Sequence, residues 1–552
     1  MWLRQKNKIA YLVYTFLAIS ILLPLLKPGY IFAMDMVFTP RLRWPSEFNF
    51  PGAVLYLLNF ILPSQIIQKI LLFLVLFLGG VGMHKLVPVR NEFAKYFAGI
   101  FYIFNPWIYS RFLYGHLYLL IAYALMPFVV KTIFKFLDQI NFKIALKLSL
   151  WLILIGFISH HFIFMAVLFF VISVLVYILK NLKDLPKILE ILKFTTLIGL
   201  IFLILSSWWI APYFNKSSPQ GQFIQRSIGL SDLKAFQTEP DAKYGVLLNV
   251  LAMYGFWGDR TEQYVVQKDV VRGWFWLFLI ILGLVIFGAI SKLKEYKAIV
   301  LILIGIISFV LSVGFAYPPF RLLINFLNQN LFIFKGFRES QKFSALLVLV
   351  YAYFGALGIN SIVEGLKVRK LEGLKVRKLE SLKMFLLAFL IILPILYSPM
   401  MFWGFRGQLS VSDYPSDWFR ANEILNQDQD NFKVLFFPWH QYMLFSFTNG
   451  KVIANPAPNF FDKPVIAGDN MELAEIYTQS RRPISKFIEN EILAKREIIN
   501  NLGQILKPLS IKYVILVKQE DWQTYGFLDW QTDLKQIYDS KHLKIYQNQS
   551  WR

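Results

Sequence analysis

The side chains best suited to chemistry in this 552-residue sequence are charged groups set among apolar and aromatic neighbours. Ionisable side chains near lipid are costly and tend to be kept for a task. Asp35 stands in Phe32-Ala33-Met34-Asp35-Met36-Val37-Phe38. A carboxylate partly stripped of water there suits a general base toward a sugar hydroxyl; an interfacial loop residue or helix cap is the plainer reading. Arg111 lies in the aromatic stretch Asn105-Pro106-Trp107-Ile108-Tyr109-Ser110-Arg111-Phe112-Leu113-Tyr114-Gly115-His116. Its guanidinium suits a lipid phosphate in bidentate fashion, or snorkels to headgroups. His116 would orient a substrate hydroxyl or cap the next helix. In Gly336–Phe343, Arg338 and Lys342 are four apart. A helix starting near Arg338 would set both cations on one face, where they could neutralise a phosphate, with Glu339 positioning sugar or cation. Asp259, beside Arg260, is a further positioning carboxylate, with pairing to Arg260 as its plain alternative. His160-His161 lacks a third ligand at suitable spacing, so neither metal nor cofactor is expected.

The absent signatures also guide the choice of substrate. No GxGxxG after a strand, no GxxxxGK[ST] phosphate loop and no HExxH occurs. A soluble nucleotide donor has no cradle, so an activated substrate would arrive on a lipid, through the bilayer.

The elements that must hold these residues lie in a membrane. Hydrophobic residues make up 57% of the chain and charged ones 16%, too little polar surface to cover a soluble globule of this size. The lack of cysteine excludes a disulfide scaffold. A hydrocarbon core about 30 Å thick takes about 20 apolar residues per helix. Eleven such runs are predicted, near 9–26, 66–83, 94–110, 117–136, 145–159, 162–179, 194–212, 273–290, 298–315, 341–361 and 384–402.

Arg4, Lys6 and Lys8 precede the first run, which reads as a retained anchor with a cytoplasmic N-terminus. The segments then facing inward carry 24 Lys/Arg against 8 Asp/Glu, the positive-inside asymmetry, and account for most of the net charge of +23. The last 149 residues hold 17 basic and 17 acidic side chains. With its one large soluble portion neutral, the chain lacks the basic patch of a nucleic-acid partner. An inward loop repeats EGLKVRKL over 364–379, read as a tolerated local duplication, and the outward carboxylates include Glu47.

The expected architecture is therefore an α-helical polytopic membrane protein of about eleven transmembrane helices. Residues 1–403 form the membrane domain, with outward loops 27–65 and 213–272, and 404–552 form a small extracytoplasmic α/β domain. Short strand-like runs Lys433–Phe437, Lys451–Ala454, Ile511–Val517 and Leu543–Tyr546 alternate there with polar helical segments such as Ser485–Leu502.

The early acid, Asn105–Phe128 and Gly336–Phe343 occur in an order that resembles the GT-C-fold arabinofuranosyltransferases of the mycobacterial cell wall. The family's REPQKF reads here Arg338-Glu339-Ser340-Gln341-Lys342-Phe343, with serine in place of proline, and its long carbohydrate-binding extensions have no counterpart. The resemblance implies sugar transfer from a polyprenyl-phosphate donor to a glycan or glycolipid acceptor outside the cytoplasm, with Asp35 at the position of the base. Ile511-Lys512-Tyr513-Val514-Ile515 and the late Tyr546 also look like the outward domain of YfhO-type glycosylation membrane proteins. The leading expectation is an inverting membrane glycosyltransferase. The alternatives are a lipid-linked glycan transporter or flippase, which should show paired discontinuous helices and charges deep in its spans, and a non-catalytic envelope-assembly protein.

Overall fold

The computed structural model describes residues 2–45, 49–215, 217–218, 221, 230–368, 376–473, 476–480 and 482–551. Glu47 and the centre of the duplicated 364–379 unit lie outside the described residues. Among the described residues, seven helices are long and apolar enough to cross a bilayer: Lys8–Leu26, Ser64–Leu86, Leu117–Asp138, His160–Lys180, Leu185–Phe214, Tyr296–Ala316 and Ser340–Gly365. This is a multi-pass membrane protein.

The expected count of eleven spans is corrected by four segments that are apolar but short, broken or bent. Residues 94–110 divide into helices Glu92–Ile103 and Pro106–Leu113, because Asn105-Pro106 ends one and starts the other. Phe142–Ile158 and Trp274–Ile290 have 17 residues each. At about 1.5 Å per residue, these span somewhat less than a typical hydrocarbon core. The last run is a bent pair, Met384–Tyr397 and Pro399–Arg406, at 62°; counted as one span, it brings the total to eight.

The chain forms two compact units. The first, residues 1–23, 71–112 and 116–406, is the helical one. There Trp274–Ile290 packs along Ser344–Val368, with Gly288 facing the Phe354 backbone and Gly358 facing that of Leu284. A Cβ at either glycine would collide with the opposite main chain, so these small residues set how closely the helices approach.

The second unit, residues 24–70, 113–115 and 407–552, centres on a five-stranded sheet ordered Leu534–Asp539, Leu543–Asn548, Ile511–Val517, Lys433–Phe437, Val465–Ile466. The first two pairings are antiparallel and the last two parallel. Every residue of Ile511–Val517 is buried, since both sheet faces are covered. Leu435, Phe437, Val514 and Leu516 meet Ile488, Ile492, Leu502 and Leu506 on one side. On the other, Phe436 meets Trp418 from helix Ser416–Gln427.

Two tail expectations are adjusted. Val452–Ala454 pairs with Tyr442–Leu444 in a separate hairpin. Ser485–Leu502 is not one helix: Pro483–Phe487 gives way to a wide turn over Ile488–Leu493, and a new helix covers Leu502–Leu506.

Candidate functional site

In the helical unit, the sequence places Arg111 through the helix break before it. Asn105 is fully buried and serves both helices. Its amide nitrogen donates to the carbonyls of Phe101 and Tyr102, each at 3.0 Å, and its Oδ1 accepts from the Ile108 amide at 3.0 Å. One side chain thus satisfies backbone groups orphaned at both ends of the break. Trp107 Nε1 donates to the Gln341 carbonyl at 3.2 Å, tying the short helix to the turn Ser340–Phe343, whose Phe343 carbonyl accepts from Ser308 Oγ at 2.6 Å.

Around this joint gathers a buried ionic cluster. Arg111 Nη1 lies 3.1 Å from Glu339 Oε2 and 3.1 Å from His116 Nδ1, and its Nη2 donates to Gln341 Oε1. A guanidinium only donates, so His116 Nδ1 accepts and the ring proton sits on Nε2. The Arg111 head lies over the Phe256 ring at 4.1 Å. Lys342 Nζ reaches the other carboxylate oxygen, Glu339 Oε1, at 3.1 Å. His161 Nε2 stands 3.3 Å from Lys342 Nζ and 3.1 Å from the Gly336 carbonyl.

Burial alone would push the Glu339 carboxyl up, yet Lys342, together with Arg111 and Arg338, holds it well below the usual carboxylate range. Burial pulls Arg111 down to about 10, with Glu339 opposing, so the group stays cationic. Two cations share one carboxylate, and Arg338 adds a third positive charge nearby; the cluster carries excess positive charge.

Several expectations meet a different geometry. Arg338 and Lys342 do not share a helix face, because Glu339 is extended and Ser340–Phe343 is a 3-10 turn. Arg338 is half-buried, with its guanidinium 4.2 Å over the Phe236 ring. Arg111 is fully enclosed and both terminal nitrogens are occupied, so it braces the cluster instead of presenting a face to a phosphate. His116 sits at the start of helix Leu117–Asp138 without capping it; its ring turns to Arg111. Arg260 pairs with Glu239 at 2.8 Å, not with Asp259. Burial raises the Asp259 carboxyl to about 7, with Lys268 opposing.

In the other unit, Asp35 occupies the corner of a tight turn in which Ala33 and Met36 pair backbone to backbone. Met34 and Met36 are buried, whereas Asp35 is exposed; its apolar neighbours point inward without desolvating it. The Asp35 amide donates to the Tyr114 carbonyl at 3.1 Å, and Oδ1 accepts from the Tyr442 hydroxyl at 2.8 Å. Gly115, at φ +72°, lets the chain pass: a Cβ there would lie 2.5 Å from the Met36 nitrogen. Among the described residues, no group of three His, Asp or Glu is placed to hold a metal ion.

No protein-family model and no curated protein sequence matches this chain. Solved structures do. The single-particle cryo-EM structure of arabinofuranosyltransferase AftD from Mycobacteria matches at TM-score 0.66 and 13% identity, over 99% of this chain and 40% of that one. The chain has that GT-C fold. Two structures of an AftD mutant match at TM-scores 0.64 and 0.54, with 12% and 13% identity, again over 99% of this chain and 41% of theirs. The chain spans about two fifths of the AftD length.

Sequence reasoning passed over Gln341 and His161. Nothing in the sequence marks Gln341, which stands between Ser340 and Lys342, and His161 reads there only as a possible metal ligand. The spacing that joins them to the cluster, 181 positions between His161 and Lys342, leaves no local pattern.

Proposed function

We propose that this protein is a membrane glycosyltransferase that moves a sugar from a polyprenyl-phosphate donor to a glycan or glycolipid acceptor outside the cytoplasm, with inversion at the anomeric carbon. In this reading Asp35 takes the proton of an acceptor hydroxyl. The hydroxyl oxygen bonds to the anomeric carbon as the bond from that carbon to the phosphate oxygen breaks, and the polyprenyl phosphate leaves with its electron pair. Cations near a leaving phosphate stabilise the charge that develops on it. Arg338 is the cation suited to contact that phosphate, while Arg111 and Lys342, locked on Glu339, supply field from behind. His116, with its proton on Nε2, would donate to a sugar oxygen.

The observation that carries this reading is the buried Arg111–Glu339–Lys342 cluster with Arg338 beside it, an excess of positive charge built at the ends of membrane helices. It fits an anionic lipid head, and the Asp35–Tyr442 pair fits a base whose lone pairs are oriented by a hydroxyl. The test is to incubate purified protein in detergent with a panel of polyprenyl-phosphate sugars and a glycan acceptor. Sugar transfer, or slow donor hydrolysis without acceptor, is expected from at least one donor. Failure with every donor, in protein shown to be folded, would contradict the proposal.

The helix break at Asn105-Pro106 and the 62° bend near Ser398 favour a second reading, a lipid-linked glycan transporter, since discontinuous helices mark many transport sites. Movement of an unaltered lipid-linked glycan across vesicles, without new glycosidic bonds, would select it.

A further inference from the structure

Within the helical unit, lysines from four helices converge where residues 84–95 meet 131–147. Lys85 closes Ser64–Leu86, Lys95 lies early in Glu92–Ile103, Lys131 and Lys135 lie near the end of Leu117–Asp138, and Lys147 follows the start of Phe142–Ile158. The charges acting most strongly on the Lys131 ammonium are those of Lys85, Lys147, Lys95 and Lys135. Its Nζ donates to the Lys85 carbonyl at 2.9 Å, which draws two helix ends together, and Lys85 Nζ turns to the Tyr11 hydroxyl at 2.6 Å. Lys131 and Lys135 are also four apart on one helix face, where like charges destabilise.

The neighbouring carboxylates are committed. Glu92 holds Lys95 at 3.1 Å and faces His84 Nε2 at 3.4 Å. Asp138, at the end of the Lys131 helix, holds Lys297 at 2.6 Å and accepts from the Tyr296 hydroxyl at 2.7 Å. Lys135 and Lys147 are exposed, and among the described residues their side chains have neither an ion pair nor a hydrogen bond. Lys131 has spent one of its three donors. A positive-inside bias explains why lysines gather on one side of a membrane; it does not require them to converge on one spot against their own repulsion.

One turn along each helix from these lysines the surface changes character. Phe128, a turn before Lys131, and Trp151, a turn after Lys147, stack with ring centroids 6.0 Å apart, and both are half-buried. A Cβ at Gly82 would come within 2.8 Å of the Phe128 ring, so helix Ser64–Leu86 closes tightly against it. Leu146 and Leu150 are exposed beside Trp151. Cations set next to an aromatic and aliphatic face suit an amphiphile, with an anionic head on the lysines and hydrocarbon on the rings; a soluble phosphate would use the lysines alone.

We infer that Lys131, Lys135 and Lys147, with Lys85 adding field, bind the head of an anionic phospholipid carrying two phosphate groups, while an acyl chain lies along Phe128, Trp151 and Leu150. Basic pockets between membrane helices hold heads of that kind. The inference is independent of the transfer chemistry proposed above.

Native mass spectrometry of the full-length protein in detergent, titrated with cardiolipin, phosphatidylglycerol and phosphatidylcholine, tests it through the dissociation constant of each lipid. Cardiolipin, with two phosphates, should bind about tenfold or more tightly than phosphatidylcholine, with phosphatidylglycerol between them. Lys135→Gln combined with Lys147→Gln should weaken cardiolipin about tenfold and leave phosphatidylcholine within about twofold. The unfolding midpoint should not move, since neither side chain has a partner to lose. If the double variant does not fold, the single variants replace it, each about threefold weaker for cardiolipin. The control pair Lys292→Gln with Lys294→Gln removes the same charge from another turn and should change cardiolipin binding by less than about twofold. An equal loss in the control pair would show attraction to net charge alone and overturn the site. Equal binding of cardiolipin and phosphatidylcholine, or binding of neither, would also overturn it. Displacement of bound cardiolipin by equimolar inorganic pyrophosphate would assign the lysines to a soluble phosphate and overturn the lipid assignment.

Discussion

At the level of single residues, Glu339 carries two ion pairs, one on each oxygen of its carboxylate, Arg111 at 3.1 Å and Lys342 at 3.1 Å, inside a buried cluster. Removing one partner of a buried pair leaves an uncompensated charge, at a cost of about 3–5 kcal/mol. Glu339→Gln is therefore expected to destabilise the protein by that order, measured by thermal unfolding in detergent. Arg338 touches the Phe236 ring and sits half-exposed, so Arg338→Ala should leave the unfolding midpoint nearly unchanged while weakening donor binding about tenfold. Unchanged donor binding would leave Arg338 an interface residue.

Asp259 offers a pH test. Its carboxyl is raised to about 7, above its unfolded value near 4, so the folded state holds the proton more tightly between these values. Its contribution to stability is present below about pH 4 and is lost as pH rises through 7. Asp259→Asn removes this dependence and should raise the unfolding midpoint relative to the parent at pH 8 by roughly 1–3 °C, with a smaller gain at pH 5. An equal change at both pH values would contradict it.

At the level of elements, the Asn105-Pro106 break and the Ala33–Met36 turn do the positioning. The motif around Arg111 stood out by its aromatics, but residues 94–110 read as one unbroken span even though Asn-Pro is a chain breaker. What could not be read was that the break would bury Arg111 at its far end, because the partners Glu339 and Gln341 lie 228 and 230 positions away. Likewise the run of apolar residues around Asp35 suggested a desolvated carboxylate, yet a tight turn sends its neighbours inward and leaves the corner in solvent. Gly115→Ala should disturb this turn, since its Cβ would press on the Met36 amide. Sugar transfer is expected to fall about tenfold or more, with the helical unit retaining its helix content by circular dichroism.

At the level of the whole molecule, sequence patterns register what repeats locally. The central strand Ile511–Val517 was legible as an apolar run interrupted only by Lys512, because both its faces are covered. Strand Leu534–Asp539 was not, because it is an exposed edge whose side chains follow solvent. Residues 24–70 group with 407–552 through contacts such as Tyr30–Ile31 paired with Val411–Ser412. Long-range pairing of that kind has no periodic signature, so a reading along the chain assigns the early segment to a loop between spans.

The most direct test of the proposed chemistry is the transfer rate of Asp35→Asn in purified protein, with a donor that the parent uses. Asp35 is exposed, and an amide oxygen can accept from the Tyr442 hydroxyl as its Oδ1 does, so Asp35→Asn should fold. Loss of a general base slows a reaction by about 10²–10⁴-fold, and a fall in that range is the predicted result. A folded variant transferring sugar within a fewfold of the parent rate would remove Asp35 from the mechanism and contradict the account.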